Sequence, residues 1–84
     1  MKKFDIFEYK TLLENIRDEY LKLEANPNAD LIYQNLQELL KNFSNYIQLP
    51  GIPSDLIYPS EKILFSMYRI IENISENKSE KNTF

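Results

Sequence analysis

Residues 49–61 read LPGIPSDLIYPSE and hold the only glycine of the chain, Gly51, together with three of its four prolines, Pro50, Pro53 and Pro59. The sequence on both sides reads as helix, so this connection decides how the last helix lies on the first two. Pro50 biases Leu49 away from helical geometry, which predicts that the preceding helix stops near Gln48. Ser54-Asp55-Leu56-Ile57 is long enough for a single helical turn that tucks Leu56 or Ile57 under the rest. Pro59 then suits the first position of a new helix, where its missing N–H costs nothing, with Glu61 near the positive helix start.

Upstream of the connection, Phe4-Asp5-Ile6-Phe7-Glu8-Tyr9 carries a helix-start signature. Asp5 is placed to cap, Glu8 to reach back, and Phe4 with Tyr9 to form the flanking hydrophobic staple. Tyr9, Leu12, Leu13, Ile16, Tyr20 and Leu23 follow at spacings of three and four, which puts them on one face. Lys10, Glu14, Arg17, Asp18 and Lys22 face away, and Lys10 with Glu14 forms an i,i+4 pair worth a few tenths of a kcal/mol. Pro27 disfavours helix at Asn26. The first helix is therefore expected over residues 5–25.

Asn26-Pro27-Asn28-Ala29-Asp30 has the chemistry of a tight link between antiparallel helices. Asn28 is the preferred cap, with Asp30 favourable in the first turn. A second helix over 28–48 carries Ile32, Leu36, Leu39, Leu40, Phe43 and Ile47 inward, and this strongest pattern makes it the central packing element. The third, over 59–76, has Ile63, Leu64, Met67, Ile70, Ile71 and Ile74 as its apolar stripe. Residues 1–76 thus form one helical domain, and 77–84 form a flexible polar tail ending in Phe84. The fold class is all-α: a small antiparallel bundle of three main helices.

At 84 residues a chain buries somewhat over about 60% of the surface it exposes when unfolded, enough for one core. With no cysteine, stability comes from packing, and a reducing compartment such as the cytoplasm fits. Ten basic and thirteen acidic residues give a net charge of −3 without a Lys/Arg stripe, which argues against nucleic acid as a partner. Asp5, Glu8 and Lys10 interrupt what would be the apolar core of a signal peptide after Met1-Lys2-Lys3. No segment approaches the roughly 20 apolar residues of a membrane span, so membrane contact is expected to be peripheral, through a partner.

Catalysis is not expected. The absence of His and Cys removes the commonest general base, the usual nucleophile pairings and nearly all zinc sites. Glu14, Asp18, Glu19 and Glu24 read as one solvated helix face, and a lone glycine cannot build a phosphate-cradling loop. No cofactor or metal is implied. Of the six tyrosines, Tyr9, Tyr20 and Tyr33 border apolar faces, whereas Tyr46, Tyr58 and Tyr68 cluster toward the connection and the third helix. Border packing accounts for such residues. The functional alternative is an exposed aromatic patch of Tyr46, Tyr58 and Tyr68 beside Arg69, since Tyr and Arg anchor interfaces.

The order of parts, with a first helix ending EYLKLE, a second reading NLQELLKNFSNYI, a Ser-Glu helix start and a third helix EKILFSMYRIIENI, resembles the bacteriocin immunity proteins of Gram-positive bacteria, the enterocin A/pediocin-like group. The resemblance covers residues 8–76. It implies a small cytoplasmic helical bundle that protects a producing cell from its own pore-forming class IIa-type peptide, acting without catalysis on a sugar-transporter receptor with bound bacteriocin. Specificity in that family lies in the C-terminal half. The expected partner-binding residues are therefore Tyr58, Lys62, Tyr68, Arg69, Lys78, Lys81 and Phe84.

The family has four helices and this sequence shows three. Either residues 4–24 match the family's second helix and the first is missing, or Ser54–Ile57 is a degenerate remnant. A three-helix bundle with an open side could close it in a homodimer. Two other roles compete: a phage or plasmid regulatory module, an antitoxin or inhibitor whose acidic surface masks a basic partner, and a structural subunit of a larger assembly.

Overall fold

A computed structural model describes residues 3–82, with side chains described for 3–74. It contains three helices: α1 (Ile6–Ala25), α2 (Asp30–Tyr46) and α3 (Ser54–Asn82). They form an all-α antiparallel bundle about 50 Å long and 19 Å across, with no strand among the described residues. α1 and α2 pair closely, and α3 packs more sparsely on α2, tied to α1 through the hydroxyls of Tyr9 and Ser60.

α1 starts as the sequence predicts. The Asp5 side chain accepts from the Phe7 N–H at 2.9 Å, and the Phe4 and Tyr9 rings staple across it with centroids 5.4 Å apart. Glu8 does not supply the return bond of a capping box. The Asp5 N–H instead donates to the Tyr46 hydroxyl at 2.7 Å, and that hydroxyl donates to the Asp5 carbonyl at 2.9 Å, with the Glu8 carboxylate at 3.4 Å. A side chain from α2 therefore completes the cap of α1. The Phe4 N–H donates to the Pro50 carbonyl at 3.1 Å, tying the N-terminal strand of chain to the connection.

The core matches the predicted stripes of α1 and α2, and on α3 Leu64, Met67, Ile71 and Ile74 join it whereas Ile63 and Ile70, expected in the stripe, do not. Tyr9, Ile16 and Leu23 of α1 meet Leu36, Leu40, Phe43 and Tyr46 of α2, with Ile47 just beyond and Leu64 and Ile71 from α3. Leu12, Leu13, Tyr20, Ile32, Leu39, Met67 and Ile74 pack around them half-buried. Tyr46, for which border packing is the first reading and an exposed patch the alternative, is buried against Phe4, with ring centroids 5.7 Å apart. Its hydroxyl is drawn in by the Asp5 backbone, so the phenol ring comes with it.

Both ends of α2 and both ends of α3 differ from expectation. α2 spans 30–46 rather than 28–48. Ala29, not Asn28, is its N-cap and makes no side-chain bond, because Pro27 and Asn28 form the turn itself. At its other end the chain tightens into i,i+3 bonds from Gln48 and Leu49 and then turns through Gly51, whose φ of +91° favours glycine. α3 spans 54–82 rather than 59–76: Ser54–Ile57 is its first turn, not a separate helix, and Pro59 lies inside it. Its far end passes the expected stop near Glu76.

Pro59 withdraws the amide that would bond the Asp55 carbonyl, a cost offset by what the added turn contributes. Asp55 is exposed, so that carbonyl is not sealed in the core. The turn packs Leu56 against the core and aligns Ser60, which is completely buried. The Ser60 hydroxyl donates to the Leu56 carbonyl at 2.6 Å. Its only proton being used there, the Tyr9 hydroxyl donates to Ser60 Oγ, also at 2.6 Å. That pair joins α1 to α3 at the level where the prolines would otherwise let them part.

Candidate functional site

The heptad-like run Leu56, Ser60, Leu64, Met67, Ile71, Ile74 turns one face of α3 inward. The opposite face is then fixed by helix geometry: Tyr58, Lys62, Phe65 and Arg69, spaced four, three and four, point to solvent. Phe65 is 70% exposed and Tyr58 66%. Lys62 Nζ sits 5.4 Å from the centroid of the Tyr58 ring, within cation–π reach. Beside this stripe, a groove of about 360 Å³ opens between α2 and α3. Ile47 and Leu64 form its floor, Ser44 and Gln48 one wall, and Glu61, Phe65 and Tyr68 the other.

Of the residues expected to bind a partner, Tyr58 and Lys62 are brought into contact with each other, and Arg69 lies on the same outward stripe. Tyr68 is turned toward the α2/α3 groove and is 38% exposed. The side chains of Lys78 and Lys81 and the whole of Phe84 lie outside the described residues. The patch of Tyr46, Tyr58 and Tyr68 does not form, since Tyr46 is in the core. Phe65, which joins the stripe to the groove, was not singled out. Its signal was available: it falls between Lys62 and Arg69, off the apolar run of Leu64, Met67 and Ile71.

The α1/α2 side is different in character. Along this seam, the furrow between the two helices, Glu8 and Leu12 on α1 face Asn42 and Asn45 on α2 across one cavity of about 330 Å³, and Asn15, Glu19 and Lys22 face Asn35, Glu38 and Leu39 across a separate one of about 400 Å³. Asp18 and Glu19, expected on a solvated face, line it. The ion pairs here are Lys22 with Glu19 at 3.0 Å and Arg17 with Asp18 at 3.6 Å, and no ion pair joins Lys10 to Glu14 among the described residues. Both Tyr20 and Tyr46 have phenol pKa values above the usual range. The cause at Tyr20 is a hydrogen bond to the Glu24 carboxylate, then burial; at Tyr46 it is burial, partly opposed by the bond to the Asp5 carbonyl and reinforced by Glu8.

No cluster of three or more acidic residues suited to a metal ion occurs among the described residues, and no helix there is long and apolar enough to cross a membrane. No family model, curated protein or solved structure matches the chain. What the geometry defines is a class: an all-α bundle with one aromatic outward face and one acid-lined furrow.

Proposed function

We propose that the chain is a non-catalytic binding protein of the cytoplasm that confers bacteriocin immunity by docking on a membrane receptor occupied by a pore-forming peptide. The observation that supports this reading is the outward stripe of α3. Two large aromatic rings and two cations occupy a helix face that the core does not use, and aromatic and Arg residues are the types that anchor interfaces. That face lies in the C-terminal half, where the resemblance to the enterocin A/pediocin-like immunity proteins puts specificity.

The test is expression in a strain sensitive to class IIa bacteriocins. Survival is expected to rise with the wild-type chain and to fall back with Tyr58→Ser/Phe65→Ser, whose fold, checked by circular dichroism, should be unchanged because both side chains are exposed. Killing that is unaltered by the wild-type chain against every class IIa peptide tried would sink the immunity reading.

A second reading, a regulatory module that masks a basic partner, is favoured by the acid-lined α1/α2 furrow. The neighbouring gene separates the two: a bacteriocin precursor or exporter favours immunity, a toxin favours masking.

A further inference from the structure

We infer that the outward stripe of α3 is a self-docking surface, on which the α3 of a second copy of this chain lies antiparallel with the two-fold axis passing beside Phe65. The inference goes beyond the immunity reading and does not rest on it. Self-association is read by sedimentation and immunity by cell killing, so either can fail alone.

The stripe offers a second copy both apolar area and room. Phe65 and Tyr58 expose most of their rings, and Ile57 and Tyr68 beside them are over a third open. From Tyr58 to Glu72 the stripe runs about four turns, roughly 21 Å at 1.5 Å per residue. The groove of about 360 Å³ alongside is floored by Ile47 and Leu64, so the Phe65 ring of the second copy has an apolar place to enter.

Charge selects the register. A two-fold axis at Phe65 sets each residue opposite the one equally far along the helix in the other direction: Glu61 opposite Arg69, Lys62 opposite Tyr68, and Tyr58 opposite Glu72. Every pairing is complementary, with carboxylate on guanidinium, ammonium on an aromatic ring and phenol hydroxyl on carboxylate. Because the contact is isologous, each occurs twice. Glu61, Arg69 and Glu72 are exposed and form no ion pair among the described residues, so none is already engaged. Lys62 lies over the Tyr58 ring of its own copy, and Tyr68 opposite gives its ammonium a second ring.

The competing registers fail on the same residues. With the axis between Phe65 and Ser66, Lys62 faces Arg69; in a parallel pairing, Glu61 faces Glu61 and Arg69 faces Arg69. Both set like charges together, which rejects those arrangements. One helix per copy makes a small contact, below the roughly 1,200 Å² of stable complexes, so the dimer is weak and exchanges with monomer.

Sedimentation velocity of the full chain, from micromolar to millimolar concentration, tests this. A single reversible step from monomer to dimer is expected. Phe65→Ser should abolish it, with circular dichroism unchanged because the ring is exposed. Glu61→Arg and Arg69→Glu should each weaken it by roughly tenfold, since each reversal is counted twice across the axis. Glu61→Arg/Arg69→Glu together should bring dimerisation back, because the exchanged charges face each other again.

Monomer at every concentration would overturn the proposal. So would a dimer that survives Phe65→Ser, or one that the double reversal leaves as weak as the single reversals do. Growth beyond the dimer would overturn it as well, because that belongs to a head-to-tail contact that does not close.

Discussion

Phe43 on α2 and Phe65 on α3 are the same side chain in opposite situations, and the contrast divides the molecule. Phe43 is completely buried in the last turn of α2, with its ring 5.6 Å from that of Tyr9 in the first turn of α1. Phe65 is 70% exposed on a face that packs on nothing among the described residues. Around Phe43 every neighbouring stripe position is apolar; around Phe65 the helical neighbours are Lys62, Glu61, Tyr68 and Arg69. The inner region therefore stores the stability, and the outer one is free to vary in composition without endangering the fold. A binding protein with a small core needs that division, because a surface altered to suit a partner cannot also be carrying the bundle.

The comparison breaks most visibly at Phe43. Phe43→Ala removes a fully enclosed ring of α2 that packs on Tyr9 of α1 and should cost about 3–5 kcal/mol. For a domain of this size that approaches the whole folding free energy, taken as roughly 0.05–0.15 kcal/mol per residue. Urea titration followed by circular dichroism checks it. A loss below about 1 kcal/mol would mean that the centre of the core lies elsewhere.

Next comes the joint that holds α3 to α1. Ser60→Ala leaves the Tyr9 hydroxyl buried without its acceptor and should cost about 1–3 kcal/mol. Tyr9→Phe leaves Ser60 still bonded to the Leu56 carbonyl and should cost less, about 1 kcal/mol. The double variant should lose less than the sum of the two, since the second change removes a group that the first had already orphaned. Strict additivity would show that the hydroxyl pair is not an interaction between the helices.

How far the sequence disclosed these regions depends on range. Tyr9, Ile16 and Leu23, or Leu36, Leu40 and Phe43, lie on one face by spacing alone, and helical periodicity read them correctly. Pro59 was misread because the rule for proline at a helix start weighs only the local N–H. Here a contact 51 residues away, from Tyr9 to Ser60, supports a helix that begins five residues earlier. The alternative that puts Tyr46 in an exposed patch fails for the same reason, its hydroxyl being bound to a backbone 41 residues upstream. The outward stripe was half legible: Tyr58, Lys62 and Arg69 could be named as exposed, but Phe65 shows its exposure only once Leu64, Met67 and Ile71 are known to face the core. The furrow was not legible, because Asp18 and Glu19 read as part of a solvated helix face until α1 and α2 are set side by side.

The smallest effect concerns the cap shared between α1 and α2. Tyr46→Phe removes both bonds between the hydroxyl and the Asp5 backbone, but the site is only part-buried, so water replaces much of them, and Asp5 keeps its own side-chain cap to Phe7; the cost near neutral pH should be about 0.5–1.5 kcal/mol. The pH dependence separates this residue from a generic packing loss. Burial lifts the native phenol pKa above its unfolded value near 10, so the native state holds the proton more tightly. That contribution is complete below about pH 10 and drains away as pH rises from there through the native value, where ionisation favours the unfolded chain. Tyr20, raised by Glu24, acts in the same direction and remains in the variant. Wild-type stability should therefore fall above about pH 10, and Tyr46→Phe should fall less steeply, narrowing its deficit as the medium becomes alkaline. Parallel profiles for the two proteins would mean that the Tyr46 hydroxyl is not held in the buried cap, and the inner region would lose the contact that fastens the start of α1 to the end of α2.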